Sequence, residues 1–288
     1  PDASWATGDD NLVELSSNNI LPITINDNDD PPSAFTVQSV LTQTTNTDDI
    51  IDNHWNPIVL GYWNSYNTGL LVTVPIENKV SLVGGNVKLI TKREGEDELA
   101  YSELATDEKR ITDTERSAGE YTFEVTAAEF EAAASFADGN VVQISARITD
   151  RFGNSVIGTP SVTTITIDEV APVIANYVIS SVDATGGTIV KNYWNGTNTG
   201  LDAVLKVLGV DQTVSNGSVR ILAGIGTDAS SAVYHQLGNP VTIQPGKNLV
   251  DQTTSISIDS ADVNDQNEFA EGELINLKAE VVDIAGNK

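Results

Sequence analysis

The sequence predicts an all-β chain of tandem β-sandwiches arranged end to end, and three observations carry that expectation. Short runs rich in Val, Ile and Thr, at 35–40, 70–76, 87–90, 121–125, 141–148 and 162–167, are bounded by clusters of Gly, Asn, Asp and Pro. That is the punctuation of a sandwich built from many short strands. The chain also repeats itself: Tyr62-Trp63-Asn64 followed by Asn67-Thr68-Gly69-Leu70 recurs as Tyr193-Trp194-Asn195 followed by Asn198-Thr199-Gly200-Leu201, at an offset of 131. Finally, a helical composition is confined to 127–134, where Ala and Glu dominate and β-branched residues are missing, enough only for a connection between strands.

Further anchors keep the same order. Val87-Lys88-Leu89 matches Val219-Arg220-Ile221 at an offset of 132, and Phe136-Ala137-Asp138-Gly139 matches Phe269-Ala270-Glu271-Gly272 at 133. Asp150 with Gly153-Asn154 matches Asp283 with Gly286-Asn287, also at 133. The small drift in offset places insertions in loops. The repeats set three expected parts: 1–30, the end of a preceding domain and a linker; 31–169, the first repeat; and 170–288, a second repeat without the strand that 162–167 gives the first. Within 1–30, 12–15 and 21–25 are candidate strands. A longer parent polypeptide is expected, since the chain has no Met and opens at Pro1 amid a strand-and-turn pattern.

Composition narrows the function. With 41 acidic against 15 basic side chains, a net charge of −26 and a pI near 4.1, the chain lacks the Lys and Arg with which nucleic-acid binders neutralise phosphates. No run approaches the roughly 20 apolar residues that span a bilayer, so no membrane insertion is expected in this segment. The absence of Cys excludes disulfides, thiolate metal sites and cysteine nucleophiles. The two histidines, His54 and His235, fall at non-equivalent positions of the repeats, and no Walker A loop, dinucleotide fingerprint or G-x-S-x-G elbow occurs. Adjacent carboxylates such as Glu96-Asp97-Glu98 read as a solvated run. No catalysis is expected.

Asp150-Arg151-Phe152-Gly153-Asn154, a Thr-rich strand and then Asp168-Glu169-Val170-Ala171-Pro172 resemble the ending of bacterial Ig-like repeats, a D-x-x-G-N turn, a last strand and a D-x-x-x-P linker. Asp283-Ile284-Ala285-Gly286-Asn287 repeats the first half of that pattern. The segment Ile23-Thr24-Ile25-Asn26-Asp27-Asn28-Asp29, with Val13-Glu14-Leu15 before it, resembles the end of a Calx-beta domain. The resemblance implies Ig-like sandwiches in a large cell-surface adhesin, although the repeat period here is longer than the usual module. The excess lies largely in the charged segment 92–118.

Calcium is the expected partner of the acidic residues. Ca²⁺ takes six to eight oxygens from carboxylates, Asn side chains and carbonyls. Asp27, Asp29 and Asp30, and likewise Asp168 and Glu169, fall at the two inferred junctions, where Pro31-Pro32 and Pro172 limit flexibility. Asp150 with Asn154, and Asp283 with Asn287, add oxygens from the repeated turn. Asp48 and Asp183 are placed in loops after the first strand of each repeat. Against this stands a local explanation, since Asp and Asn bond their own backbone in turns and Gly allows positive φ there.

The aromatic residues divide in the same way. Trp55, Trp63 and Trp194 can form a stacking platform for a sugar, whereas Tyr-Trp-Asn recurring at a strand entry is also what a plug at the end of a sandwich requires. Two glycosylation triplets begin at Asn195 and Asn216.

The expectation is therefore a non-catalytic, extracellular stalk segment of a bacterial surface adhesin or filament, with Ca²⁺ stiffening its junctions and neighbouring domains as its partners. Copies of itself in a filament or layer, and surface glycans, are further partners. A carbohydrate-binding accessory module and a surface-layer protein are the alternatives. The missing last strand lies either further along the chain or in another chain.

Overall fold

The computed structural model describes residues 31–44, 59–104, 108–211, 213–226, 233–266 and 269–288. The candidate strands 12–15 and 21–25, and Asp27, Asp29, Asp30, Asp48 and Trp55, lie outside the described residues.

The first sandwich comprises β1 (Ser39–Thr44), β2 (Tyr62–Trp63), β3 (Asn67–Pro75), β4 (Asn86–Arg93), β5 (Ser102–Glu103), β6 (Lys109–Arg110), α1 (Asp113–Ala118), β7 (Glu120–Thr126), α2 (Ala127–Glu131), β8 (Val141–Thr149), β9 (Ser155–Ile157) and β10 (Ile165–Ile167). One sheet has the order β1-β3-β7. The other runs β2-β10-β8-β4-β5, with β6 on β4 and β9 on β8. Alternation explains the facing. Along β8, Val142, Ile144, Ala146 and Ile148 are buried in one core with Leu70, Val72 and Val74 of β3 and Val87 and Leu89 of β4, the period of two that sends successive side chains to opposite faces. The Ala-rich segment is helical for one turn only, started by a capping box in which Thr126 and Glu129 each accept from the other's backbone N–H. The charged segment forms α1 and the short strands β5 and β6 on the edge of β4.

The second sandwich repeats the frame with β11 (Tyr177–Thr185), β12 (Gly200–Val207), β13 (Ser218–Ile225), β14 (Tyr234–Thr242), β15 (Thr253–Asp259), α3 (Ser260–Asn264) and β16 (Ile275–Val282). Its sheets are β11-β12-β15 and β14-β13-β16. Ala203, Leu205, Val219, Ile221, Ile256 and Ile258 fill a separate core. The molecule is thus all-β, of tandem Ig-like sandwiches.

Several readings change. Helix is not confined to 127–134: α1 and α3 are single turns outside it, α1 opened by a capping box of Thr112 and Glu115. The strand expected at 35–40 lies instead at Ser39–Thr44, paired with β3. Asp183 is not in a loop: it lies within β11, exposed and paired across to Asp202 of β12, because a polar residue at a solvent-facing strand position costs little. The last strand of the first sandwich begins at Ile165 rather than 162. Thr163 N donates to Ser161 Oγ at 3.2 Å, a local turn that takes the backbone out of the ladder.

Candidate functional site

The chemistry of interest collects where the two sandwiches meet, and each half of the contact is formed locally by the repeated motifs. On the first sandwich, Asn64 N donates to Asn67 Oδ1 at 2.7 Å and Tyr66 N to Asn64 Oδ1 at 2.9 Å, so the loop after Trp63 is closed by its own asparagines. The second sandwich makes the same loop, with Asn195 N on Asn198 Oδ1 at 2.8 Å and Thr197 N on Asn195 Oδ1 at 2.9 Å. The facing element is the D-x-x-G-N turn. Asp283 Oδ1 accepts from Asn287 N at 2.8 Å and Oδ2 from Asn287 Nδ2 at 2.9 Å. Asp150 and Asn154 form the same pair at 2.9 and 3.1 Å. Gly286 and Gly153 both take φ 98° there, a left-handed conformation that favours glycine.

Loop and turn join directly. Asn64 Nδ2 donates to the Ala285 carbonyl at 2.6 Å. Asn287 Oδ1 accepts from Ser65 N at 3.2 Å and Ser65 Oγ at 3.3 Å, and its Nδ2 donates to the Asp168 carbonyl at 2.7 Å. Asn64, Ala285 and Asn287 are fully buried, so these are bonds whose loss leaves buried polar groups unpaired. Lys288 Nζ stands 5.9 Å from the centre of the Tyr66 ring across the same contact.

The linker is held as well. Glu169 N donates to Asp138 Oδ1 at 3.0 Å, Val170 N to Asp168 Oδ1 at 3.3 Å, and Val173 N to Asp211 Oδ2 at 3.2 Å. Backbone donors of 169–173 therefore meet carboxylates from the first sandwich, the linker itself and the second sandwich. Crowding these anions has an electrostatic cost. Burial, then the charges of Asp138 and Asp211, pushes the Asp168 carboxyl up. Burial also lifts Asp283 to about 6, despite the hydrogen bonds from Asn287, with Asp168 adding to the rise. Glu169 is raised by burial and by Glu131.

The expected metal residues divide accordingly. Asp168, Glu169, Asp283 and Asn287 come together at this junction; Asp150 and Asn154 form their turn elsewhere on the first sandwich, and Asp183 lies on a strand. Both carboxylate oxygens of Asp150 and of Asp283 are turned onto their own turns. Among the described residues, no group of three or more Asp, Glu or His side chains is placed to hold an ion. The junction offers a negative field rather than a ready oxygen cage.

Trp63 is not a sugar platform. It has no exposed surface, and meets Phe130 and Phe136 edge to face with centroids 4.8 and 6.2 Å apart. Its ring is the plug at the end of the first core. Trp194 is half-buried against the second core and its Nε1 donates to Asn264 Oδ1 at 3.3 Å, while the neighbouring Tyr193 is 70% exposed. Sequence reasoning missed Asn64, Ser65, Asp138 and Asp211. Asn64 and Asp138 stand inside the recognised repeats, and that recurrence is the signal that could have found them.

No protein-family model matches the chain, and no curated protein matches it. Among solved structures, it is similar to the FN1–FN3 domains of chicken CNTN1, at 14% identity and a TM-score of 0.35, covering 89% of this chain and 64% of that one. This chain thus spans a little under two thirds of that structure. It is also similar to a chicken TCR at 9% identity, TM-score 0.25, covering 74% of this chain and 89% of that one. The CBM22-1–CBM22-2 tandem of Paenibacillus barcinonensis Xyn10C matches at 9% identity, TM-score 0.12, covering 86% of this chain and 94% of that one. No helix among the described residues is long and apolar enough to cross a membrane.

Proposed function

We propose that this chain is a non-catalytic stalk segment of a bacterial cell-surface adhesin or surface filament, whose stacked sandwiches carry a distal binding region away from the cell. The observation that supports it most is the junction: a buried asparagine of one sandwich bonded to the loop and linker of the other. Two domains joined only by a flexible linker would swing. Here the linker N–H groups and the facing loops are held by hydrogen bonds, which gives the pair one preferred angle and makes a string of domains a semi-rigid rod. The net charge of −26 keeps neighbouring rods apart in solution.

Calcium belongs to this reading as a counter-ion. Asp138, Asp168, Asp211 and Asp283 repel one another at the junction, and a divalent cation drawn to that field stabilises the stacked state. Thermal unfolding with excess Ca²⁺, with Mg²⁺ and with a chelator tests it. A midpoint that falls on chelation and is not restored by Mg²⁺ supports the ion. Superimposable curves leave the junction to its hydrogen bonds alone. Small-angle scattering of the chain tests the rod itself: a single extended distance distribution supports a stalk, and the broad distribution of two independently moving bodies overturns it.

A further inference from the structure

We propose that the outer edge of β7 is a docking site for an extended, lysine- or arginine-bearing peptide segment of another protein, which adds to the sheet as a further strand beside Glu108 and Glu124. The site lies on the flank of the first sandwich and does not depend on the stalk reading. β7 ends the sheet β1-β3-β7, and among the described residues it pairs with β3 alone. A strand edge with open N–H and C=O groups is a template for an added strand. Beside it runs a groove of about 340 Å³, lined on one side by β7 from Tyr121 to Glu124 and on the other by Glu108 and Lys109, at the start of β6 in the facing sheet.

Charge decides what fits there. Lys109 Nζ is already held, 3.1 Å from Glu115 Oε1 and 4.6 Å from the centre of the Tyr121 ring. The Glu129 carboxylate, also on the groove, closes its own helix start with bonds of 2.7 Å from both Thr126 N and Thr126 Oγ1. Glu108 and Glu124 are exposed and, among the described residues, meet no cation. Along β7 the alternation sends Phe123 and Val125 into the core and leaves Glu120, Thr122 and Glu124 facing solvent. Opposite charges on neighbouring strands attract and like charges repel. A second copy pairing antiparallel about Thr122 would set Glu120 against Glu124, so the edge resists its own kind. A strand with Lys or Arg at alternate positions meets both glutamates in register.

The second sandwich shows that the shared frame does not require these acids. In the register of the two repeats, Glu120 and Glu124 correspond to Thr253 and Ser257 of β15, and Glu108 corresponds to Pro240 of β14. Lys109 and Tyr121 become Val241 and Thr254 by the same count. There β14 runs unbroken from Tyr234 to Thr242, whereas the first sandwich has at that place only the two-residue strands β5 and β6. The acidic groove is thus peculiar to the first repeat, and Glu108 and Lys109 belong to the charged segment 92–118, to which the stalk role gives no task. The β15 edge, neutral at the matching positions, offers such a peptide no charge partner.

Fluorescence anisotropy with a labelled octapeptide of alternating Lys and Thr tests this on the unaltered chain. The peptide is expected to bind, more weakly as salt rises, and its Glu-Thr counterpart is expected not to bind. Methylating the backbone nitrogen of every second residue keeps the charge and removes the N–H groups along one side of the strand. Of the two alternate patterns, one is expected to abolish binding and the other to retain it, a readout that requires no altered protein. E108Q/E124Q is expected to weaken binding about threefold to tenfold. E271Q/E273Q, which removes the same charge from exposed positions of the second sandwich, is expected to leave it unchanged. No binding of the Lys-Thr peptide, equal binding of the two methylated patterns or of the Glu-Thr peptide, or two variants that bind alike overturns the proposal. None of these results touches the stalk reading, which scattering judges separately.

Discussion

Asp150 and Asp283 hold the same place in the same turn, one repeat apart, yet their carboxyls are driven in opposite directions. Burial opposes the charge of both. At Asp150 the hydrogen bonds from Asn154, Phe152 and Gly153 outweigh it, and the carboxyl sits below its ordinary value. At Asp283 the first sandwich covers the turn and brings Asp168 close, so burial wins and the carboxyl rises to about 6. Stacking therefore imposes a penalty on a motif that is comfortable alone.

That penalty has a defined pH window. Between the ordinary 3.8 and about 6, the folded chain binds a proton at Asp283 that the unfolded chain does not. Stability from this group is present below the lower value and is lost as pH rises through about 6, on the order of 2 kcal/mol across the window after a discount for solvent screening. Asp168 acts with the same sign. Chemical denaturation at a series of pH values is expected to show the second sandwich gaining stability on acidification from pH 7 to 5, and D283N is expected to flatten that slope. A rise in stability with pH over the same range in the unaltered chain would contradict the assignment.

The buried asparagines should be the mechanical joint. N287A removes bonds to Ser65, Asp168 and Asp283 together and is expected to cost about 1–3 kcal/mol per group left unpaired. N64A removes the bond to Ala285. Each is expected to broaden the distance distribution in small-angle scattering while leaving the strand signal of the circular dichroism spectrum in place. A distribution unchanged in both variants would move the origin of the angle elsewhere.

Trp63 and Trp194 are repeats in sequence but not in burial. Truncating Trp63 opens a void against Phe130 and Phe136, and W63A is expected to destabilise the first sandwich by about 3–5 kcal/mol. W194A, starting from a half-buried ring, should cost distinctly less. Denaturant midpoints for the two sandwiches decide it, and equal losses would count against the plug.

Two glycines mark where strands approach too closely for any side chain. A Cβ on Gly85 would meet the backbone of Thr149 and Asp150, and one on Gly217 that of Val282 and Asp283, all at or inside 3.0 Å. G85A and G217A are each expected to lower the thermal midpoint of their own sandwich, beyond the roughly 1 kcal/mol a mild backbone change would cost. Hydrogen exchange, read separately over residues 31–169 and 170–288, localises the effect.

Much of the fold is legible in the sequence because alternation and turn residues are local signals. Most strands of the first sandwich fall close to where Val, Ile and Thr cluster, though the first lies at Ser39–Thr44 and not 35–40; the helical turn at Ala127–Glu131 is found, but α1 and α3 are further turns that composition does not mark. The junction is legible only in part. Asp168 and Asn287 stand out for their oxygens, but Asn64 reaches Ala285 across 221 residues of sequence, and no local pattern encodes that distance. Nor does the sequence say how those oxygens are engaged: the repeated Asp-Asn pair has the composition of a ligand set, and in the structure its carboxylates close their own turns. Asp183 departs from its expected loop because an exposed strand position tolerates a carboxylate as readily as a loop does.

The chain enters and leaves the first sandwich through parallel pairings. Thr36 bridges Thr159 in parallel, with Thr159 N donating to Phe35 O at 2.8 Å and Val37 N to Thr159 O at 3.1 Å, and β10 runs parallel to β2 before passing into the linker. Tension applied between the two ends of this sandwich, as the proposed stalk role would require, loads these bonds side by side, in shear, instead of opening them one at a time. Resistance to pulling depends on the barrier to unfolding rather than on equilibrium stability. A module of ordinary thermal stability built in this way would hold its length under flow.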